Sequence, residues 1–199
     1  MAEGIILSGG LSSRAYANKM LFIVDGKPLI IHAIEGMKPF VKRIIVVTGR
    51  YHDEINSLLK DQKNVVIAHN KDYEKGMFSS VLTGVRSSSR DEDFFILPGD
   101  CPFVKVATYR SLLKGIKSIR VPVYNSHHGH PMFISKTLKA ELLKMSVDDN
   151  LKAFRNNHDF ESVEVDDPNI LVDIDTRDDY EKILHGKDAR NESEKILHR

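Results

Sequence analysis

The chain contains a single cysteine, Cys101, and no tryptophan. One thiol excludes an intramolecular disulfide framework and fits a reducing compartment. No apolar run approaches the ~18 residues that a membrane-spanning helix needs, so no membrane partner is expected. Neither sign of charge dominates: 29 Lys and Arg stand against 28 Asp and Glu, a net charge of +1. That balance argues against a broad face for nucleic acid. The N-terminus places acidic Glu3 before a short apolar run, Gly4 to Leu7, whereas a secretory leader has a basic start and a longer apolar stretch. The expectation is a cytoplasmic protein. With 199 residues, 41% hydrophobic and 29% charged, the chain can bury about 70% of its unfolded surface and needs no staple. One domain is expected over residues 1–185, followed by a polar C-terminal tail over 186–199.

What is present is a series of short apolar runs separated by helical patterns. The runs are Gly4–Leu7, Arg43–Thr48, Asn64–Ala68, Asp93–Leu97 and Ser118–Tyr124. Continuous runs, rather than strict alternation, suit strands covered on both faces. Pro28–Met37 carries Leu29, Ile30, Ile31, Ala33, Ile34 and Met37 at helical spacing, and Asp53–Leu59 and Ser79–Val85 carry similar stripes. Alternating strand and helix predicts a three-layer α/β/α fold around a mostly parallel sheet. The second half is less regular. Pro131–Ile134 reads as an antiparallel strand and Glu161–Val165 as an edge strand. Thr137–Met145 and Val147–Arg155 read as helices, and a last helix starts at Thr176.

The first strand runs into Leu7-Ser-Gly-Gly-Leu-Ser-Ser-Arg14, with Lys19 five residues further on. Loops at strand C-termini are where open α/β sheets bind ligands. Gly9 and Gly10 let backbone N–H groups approach a phosphate, Ser12 and Ser13 add hydroxyls, and Arg14 and Lys19 add positive charge. The unit reads as a polyphosphate cradle. It is not a Walker A loop, because Lys19 lies between Asn18 and Met20. It is not a dinucleotide fingerprint either, because the glycines are adjacent and no third follows.

Further along, Asp93-Phe-Phe-Ile-Leu-Pro-Gly-Asp-Cys-Pro-Phe103 delivers Asp100 just past an apolar strand, where a carboxylate suits Mg²⁺. The alternative is that Asp100 caps a helix near Val104. Ser79 and Ser80, in Glu74-Lys-Gly-Met-Phe-Ser-Ser-Val-Leu-Thr-Gly84, sit near a helix start and suit an oxygen-rich ligand or a simple N-cap. Asp173-Ile-Asp-Thr176 alternates so that Asp173 and Asp175 share a side, either toward a metal or in a cap of the last helix. His127-His-Gly-His-Pro131 is too crowded for one tetrahedral zinc. Cys101 reads as a small buried hydrophobe.

The stretch from Leu7 to Leu21 and the later Asp25-Gly-Lys-Pro-Leu29 resemble the signature of nucleotidyltransferases acting on sugar phosphates and the molybdenum cofactor. They are most similar to the small MobA-like branch that includes the cytidylyltransferases. The segments around Ser79–Gly84, Gly99–Pro102, Gly129-His130-Pro131 and Asp173–Thr176 extend the resemblance over nearly the whole chain. It implies the Rossmann-like nucleotide-diphospho-sugar transferase fold and Mg²⁺-dependent transfer of a nucleotidyl unit to a phosphate-bearing, molybdopterin-type acceptor. The nucleoside triphosphate, CTP before GTP, would lie on Leu7, Ser8, Gly9, Gly10, Ser12, Ser13, Ser79, Ser80 and Gly84. Arg14, Lys19 and Asp100 would be catalytic, with Asp100 and Asp175 as metal ligands. His130, Pro131 and Asp173 would face the acceptor. Alternatives within the resemblance are a guanylyl- or sugar-phosphate nucleotidyltransferase. Ala15-Tyr16, standing where the family has Met-Gly, also keeps open a non-catalytic nucleotide-binding regulator. On the CTP reading, Gly9→Ala leaves room beside a pyrimidine; on the GTP reading the methyl meets the purine.

Overall fold

The computed structural model describes residues 2–10 and 18–184. Its strands and helices run in the order β1 (Ala2–Ser8), β2 (Ile23–Val24), β3 (Lys27–Pro28), α1 (Leu29–Met37), β4 (Val41–Thr48), α2 (His52–Leu59), β5 (Val65–His69), α3 (Met77–Ser87), β6 (Phe94–Pro98), α4 (Val106–Lys114), β7 (Ile119–Tyr124), β8 (His127–His128), β9 (Met132–Ile134), α5 (Lys139–Leu142), α6 (Leu151–Asn156) and β10 (Phe160–Glu164). A last helix, α7, occupies 177–184. No helix among the described residues is long and apolar enough to cross a membrane.

The main sheet has the order β10-β7-β9-β6-β1-β4-β5, with β8 paired to β7. The β1/β4, β4/β5, β1/β6 and β7/β10 pairs are parallel, and β9 runs antiparallel to both β6 and β7. After β1 the chain builds outward through β4 and β5, then returns to place β6 on the other flank of β1. Parallel strands whose order reverses in this way leave a crevice beyond their C-terminal ends.

Both faces of the sheet are covered, which explains the uninterrupted apolar runs. On one face Ile6, Val46, Phe95 and Leu97 pack with Ile34 and Met37 of α1, Ile55 of α2 and Tyr109 and Leu112 of α4. On the other, Ile5, Leu7, Val47 and Ile96 pack with Val81 and Val85 of α3, Leu142 of α5 and Phe154 of α6. Neighbouring residues of one strand thus feed opposite cores. Gly84 belongs to the second core. A Cβ there would lie 2.4 Å from Ile5 Cγ2, so the missing side chain lets α3 sit close on the sheet.

A small third cluster, Val24, Leu29 and Ile174 with Phe22, Phe103, Tyr180, Ile183 and Leu184, ties the β2–β3 hairpin to α7. The hairpin turns at Asp25 and Gly26, with φ of 50° and 74°. The Tyr180 hydroxyl donates to the Ile23 carbonyl at 2.6 Å.

Two expected helices are shorter than their apolar patterns. In place of Thr137–Met145, the Ser135 side chain accepts from Thr137 N and starts a 3₁₀ turn, and α5 covers only Lys139–Leu142. In place of Val147–Arg155, Asn150 caps the helix by accepting from Ala153 N at 2.8 Å, so α6 begins at Leu151. The polar tail expected over 186–199 lies outside the described residues.

Candidate active site

Parallel pairing of β1 with β6 continues past the strands through Gly99 N–H donating to Leu7 O at 2.8 Å. Leu7–Gly10 and Gly99–Asp100 therefore emerge side by side at the C-terminal end of the sheet. Lys19 opens a 3₁₀ turn, Lys19–Leu21, that the Asn18 side chain caps by accepting from Met20 N. Asp175 arrives from the opposite side. Ile174 is fully buried, and its N–H donates to the Asp100 carbonyl at 3.0 Å. Anchored in this way, the segment turns Asp175 toward Asp100.

These three residues meet. Lys19 Nζ donates to Asp100 Oδ2 at 2.8 Å and to Asp175 Oδ1 at 2.9 Å. The lysine side chain is 12% exposed and the carboxylates 21% and 38%. Burial works against the Lys19 charge, but the Asp100 carboxylate and the hydrogen bonds to both acids outweigh it and hold the ammonium above its ordinary range. The cation is therefore fixed at neutral pH, and each acid keeps one oxygen that these two bonds do not use.

Two clefts open on this trio. The first, about 290 Å³, is lined by Leu7, Ser8, Gly9, Gly10, Lys19, Met20, Tyr73, Glu74, Gly76, Met77 and Ser80, together with Pro98, Asp100 and Asp175. The second, about 310 Å³, is lined by Cys101, His128, Gly129, His130, Ile170, Leu171 and Asp173, again with Met77, Pro98, Asp100 and Asp175. The shared residues make the clefts contiguous, with the carboxylates between them.

Ser8 lies on the wall of the first cleft while its hydroxyl donates to Val47 O at 2.8 Å. Ser80 also lines it. Ser79 does not: its hydroxyl turns to the Gly76 and Asp72 carbonyls at 2.7 and 3.0 Å. Neither serine caps α3. That place belongs to Gly76, whose φ of 98° puts it in the left-handed region that glycine tolerates. Gly84 is a packing residue one turn further on and faces the sheet, so it is not part of the cleft. Ser12, Ser13, Arg14 and the Ala15-Tyr16 pair lie outside the described residues.

Gly9 behaves differently from the expectation. A Cβ there would lie 2.7 Å from Ser80 Oγ. The methyl of Gly9→Ala meets the protein before it meets any base, so the substitution does not distinguish CTP from GTP by room alone.

Asp100 does not cap the helix that follows. That role falls to Asp167, whose Oδ2 accepts from Lys105 N and Thr108 Oγ1, both at 2.7 Å. In the second cleft, Gly129 packs on the Pro168–Leu171 turn, where a Cβ would lie 2.3 Å from Ile170 O. His130 N–H donates to the same carbonyl at 3.0 Å. Burial pushes the His130 imidazole below its ordinary range, against the pull of Asp100 and Asp173, so it is neutral at pH 7. Pro131 follows through a cis peptide and is buried behind the cleft rather than lining it. The neighbouring histidines go elsewhere, His127 to Asn125 O and His128 to Ser162 Oγ. Thr176 exchanges hydrogen bonds with Asp179 at the start of α7, leaving the Asp175 side chain for Lys19. Cys101 is 3% exposed and burial, then Asp100, pushes its thiol far up, which leaves it inert.

Several residues of the site carried no role in the sequence reading: Tyr73, Met77, Ile170 and Leu171 on the cleft walls, and Asn70, which braces Ser79 and Ser80. Asn70 had a signal in its place shortly after the Asn64–Ala68 run, and Met77 in lying within the Glu74–Gly84 segment.

A family profile described as MobA-like NTP transferase domain matches residues 4–163. The molybdenum cofactor cytidylyltransferase of Escherichia coli is 32% identical over 178 residues, covering 88% of this chain and 92% of that protein. The molybdenum cofactor guanylyltransferase of Shewanella woodyi is 27% identical over 158 residues, covering 76% and 74%. Among solved structures, Rv0371c from Mycobacterium tuberculosis superposes with a TM-score of 0.79 at 22% identity over 92% of this chain and 98% of that one, a likeness of fold. With the profile spanning residues 4–163 and the Escherichia coli relative matched along most of both chains, the chain belongs to the MobA-like NTP transferase family.

Proposed function

We propose that this protein moves a nucleotidyl unit from CTP to a phosphate-bearing acceptor of the molybdenum cofactor type, with release of pyrophosphate. The observation that carries the reading is the Lys19–Asp100–Asp175 trio at the junction of two contiguous clefts. One reactant fits on each side, and the charged groups lie where phosphates of both would meet. The names of the relatives from Escherichia coli and Shewanella woodyi supply the acceptor class. The higher identity and fuller coverage of the first favour CTP over GTP.

Among the described residues no group of three or more potential ligands gathers around one point. Two carboxylates suffice for Mg²⁺, which takes one or two acids and completes its shell with substrate phosphates and water. Asp100 and Asp175 would hold it, and bound there it would neutralise charge on the transferring phosphoryl group. The protein's own part is positioning and electrostatics. The Leu7–Gly10 backbone carries the nucleotide along the first cleft. Lys19, already charged, transfers its hydrogen bonds from carboxylates to the β- and γ-phosphates and stabilises the leaving pyrophosphate, and Arg14 adds a second positive charge to the same loop. The acceptor phosphate is anionic and attacks the α-phosphorus without a general base. His130, kept neutral by burial, hydrogen-bonds the acceptor in the second cleft.

The test is to mix the protein with Mg²⁺, the molybdopterin-type acceptor and each of CTP, GTP, ATP and UTP, and to follow pyrophosphate. Release with CTP that depends on the acceptor is expected. Binding of CTP with no release would instead favour a nucleotide-binding regulator.

A further inference from the structure

Asn70 is buried (3% exposed) immediately after β5, and every polar atom of its side chain is committed. Its backbone N–H donates to Thr48 O at 2.8 Å, pinning it to the end of β4. Its side-chain Oδ1 accepts from Asp72 N at 3.0 Å. That bond fixes the orientation of the amide, because only the oxygen accepts from an N–H. Nδ2 therefore faces α3 and donates to Ser79 Oγ at 2.8 Å and to Ser80 Oγ at 3.0 Å.

The two serines then differ. Ser79 passes its proton to the carbonyls of Gly76 and Asp72. Ser80 is buried at 4% exposure, accepts from Asn70, and has no protein acceptor for its own proton among the described residues. A hydroxyl that has accepted one bond keeps its single proton and one further lone pair, so the Ser80 proton is still there to donate. Ser80 lines the first cleft, so the donor points into it. Gly9 keeps that approach open, since a side chain there would press on Ser80 Oγ. Gly9 and Asn70 follow β1 and β5, and Ser80 lies in α3, which packs on β1, β4 and β5, whereas Asp100 and its Lys19 partner stand at the end of β6. With the phosphates at that pair, the nucleoside lies over Ser80.

We infer that Asn70 is a specificity-setting positioning residue: by donating to Ser80 Oγ rather than accepting from it, Asn70 leaves the Ser80 proton for an acceptor atom of the base. The inference rests on the nucleotidyl-transfer reading and adds to it the source of base choice. Cytosine offers adjacent acceptors, O2 and N3, along its pairing edge. Guanine offers one acceptor, O6, beside two donors, N1–H and N2–H₂. Against guanine's two donors the Ser80 proton has only O6 to reach, and a buried polar group left without its partner costs affinity. Asn70→Asp keeps the shape and reverses the polarity. Its carboxylate must accept from both serines, Ser80 gives up its proton to it, and Ser80 Oγ becomes an acceptor toward the cleft.

The experiment measures dissociation constants for CTP, GTP and inorganic tripolyphosphate in wild type, Asn70→Asp, Ser80→Ala and the double variant. Wild type should bind CTP more tightly than GTP. Asn70→Asp should lower the GTP-to-CTP ratio of dissociation constants at least tenfold. Any general charge effect appears in the tripolyphosphate arm and cancels in the ratio. In the Ser80→Ala background the same change should leave the ratio where Ser80→Ala put it. A ratio unmoved by Asn70→Asp in a folded protein overturns the inference, as does a shift that persists without Ser80. Should Asn70→Asp fail to unfold cooperatively, Ser80→Ala decides: CTP affinity must fall about tenfold with tripolyphosphate affinity kept, and unchanged CTP affinity overturns the inference. Wild type binding CTP and GTP no better than tripolyphosphate overturns the functional reading too, whereas a wild-type base preference that Asn70→Asp leaves intact overturns the inference alone.

Discussion

The two clefts that meet at Asp100 are held in place by different means. The first is built from strand ends. β1, β4, β5 and β6 are locked by parallel ladders; Leu7 lies in β1, and Gly10 and Asp100 come two residues after the ends of β1 and β6. The second is built from loops and the Pro168–Leu171 turn, held by single contacts. Gly129 N–H donates to Pro122 O at 2.9 Å, His130 N–H to Ile170 O at 3.0 Å, and Asp167 anchors the turn to α4. A ladder distributes strain over many bonds, whereas an isolated contact carries it alone. The first cleft is thus braced by ladders along its β1–β6 side, and the second can be disturbed one contact at a time.

The largest effect should come from the residue common to both clefts. Asp100→Ala removes a Lys19 partner and a carboxylate between the reactants, and turnover should fall roughly 10²–10³-fold, the scale of losing one preorganised electrostatic group. Asp100 is partly exposed, so the thermal midpoint should barely move. More than a tenth of wild-type activity in a folded variant would contradict its role.

Gly129→Ala should separate the clefts. The added methyl meets the Ile170 carbonyl, a backbone atom that cannot swing aside, at a cost of about 1–3 kcal/mol, or a few degrees in midpoint. The KM for the acceptor should rise while CTP affinity stays within about twofold, an order-of-magnitude expectation for a residue that lines the second cleft alone. A parallel loss of CTP affinity would show that the clefts move as one.

The smallest effect lies at the far edge of the ladder-built side. His69, at the end of β5, stacks on His52 with centroids 4.0 Å apart and planes 7° apart. Burial, then the His52 and Lys71 charges, push its imidazole below the ordinary range. A depressed folded value means its contribution is complete above the unfolded value of about 6.5. It is lost as pH falls through the folded value. Melting between pH 7.5 and 5 should show a slightly shallower acid decline for His69→Gln than for wild type. Identical slopes would remove His69 from the balance.

The same contrast explains what the sequence made legible. The β1, β4 and β6 runs were readable because both sheet faces are covered, so burial writes itself as continuous apolar residues. Lys19 and Asp100 were readable because they follow such runs. The β2–β3 hairpin was overlooked although Asp25-Gly26 is a two-residue turn signal, since its strands are too short to show a period. Gly84 looked like a ligand-binding glycine, but its contacts with Ile5 and Val47 come from the sheet below. Asn70 acts through an amide geometry that no spacing encodes. Ile170 and Leu171 enter the second cleft through a 3₁₀ turn whose position depends on Asp167 reaching α4.

On the proposed function, the triphosphate end of the nucleotide lies at Lys19, between the carboxylates. Titration of CTP and cytidine against wild type and Lys19→Ala tests it most directly. Lys19→Ala should weaken CTP at least tenfold and leave cytidine within about twofold, because the lost charge meets phosphate alone. Equal losses for CTP and cytidine, or CTP affinity unchanged, would contradict it.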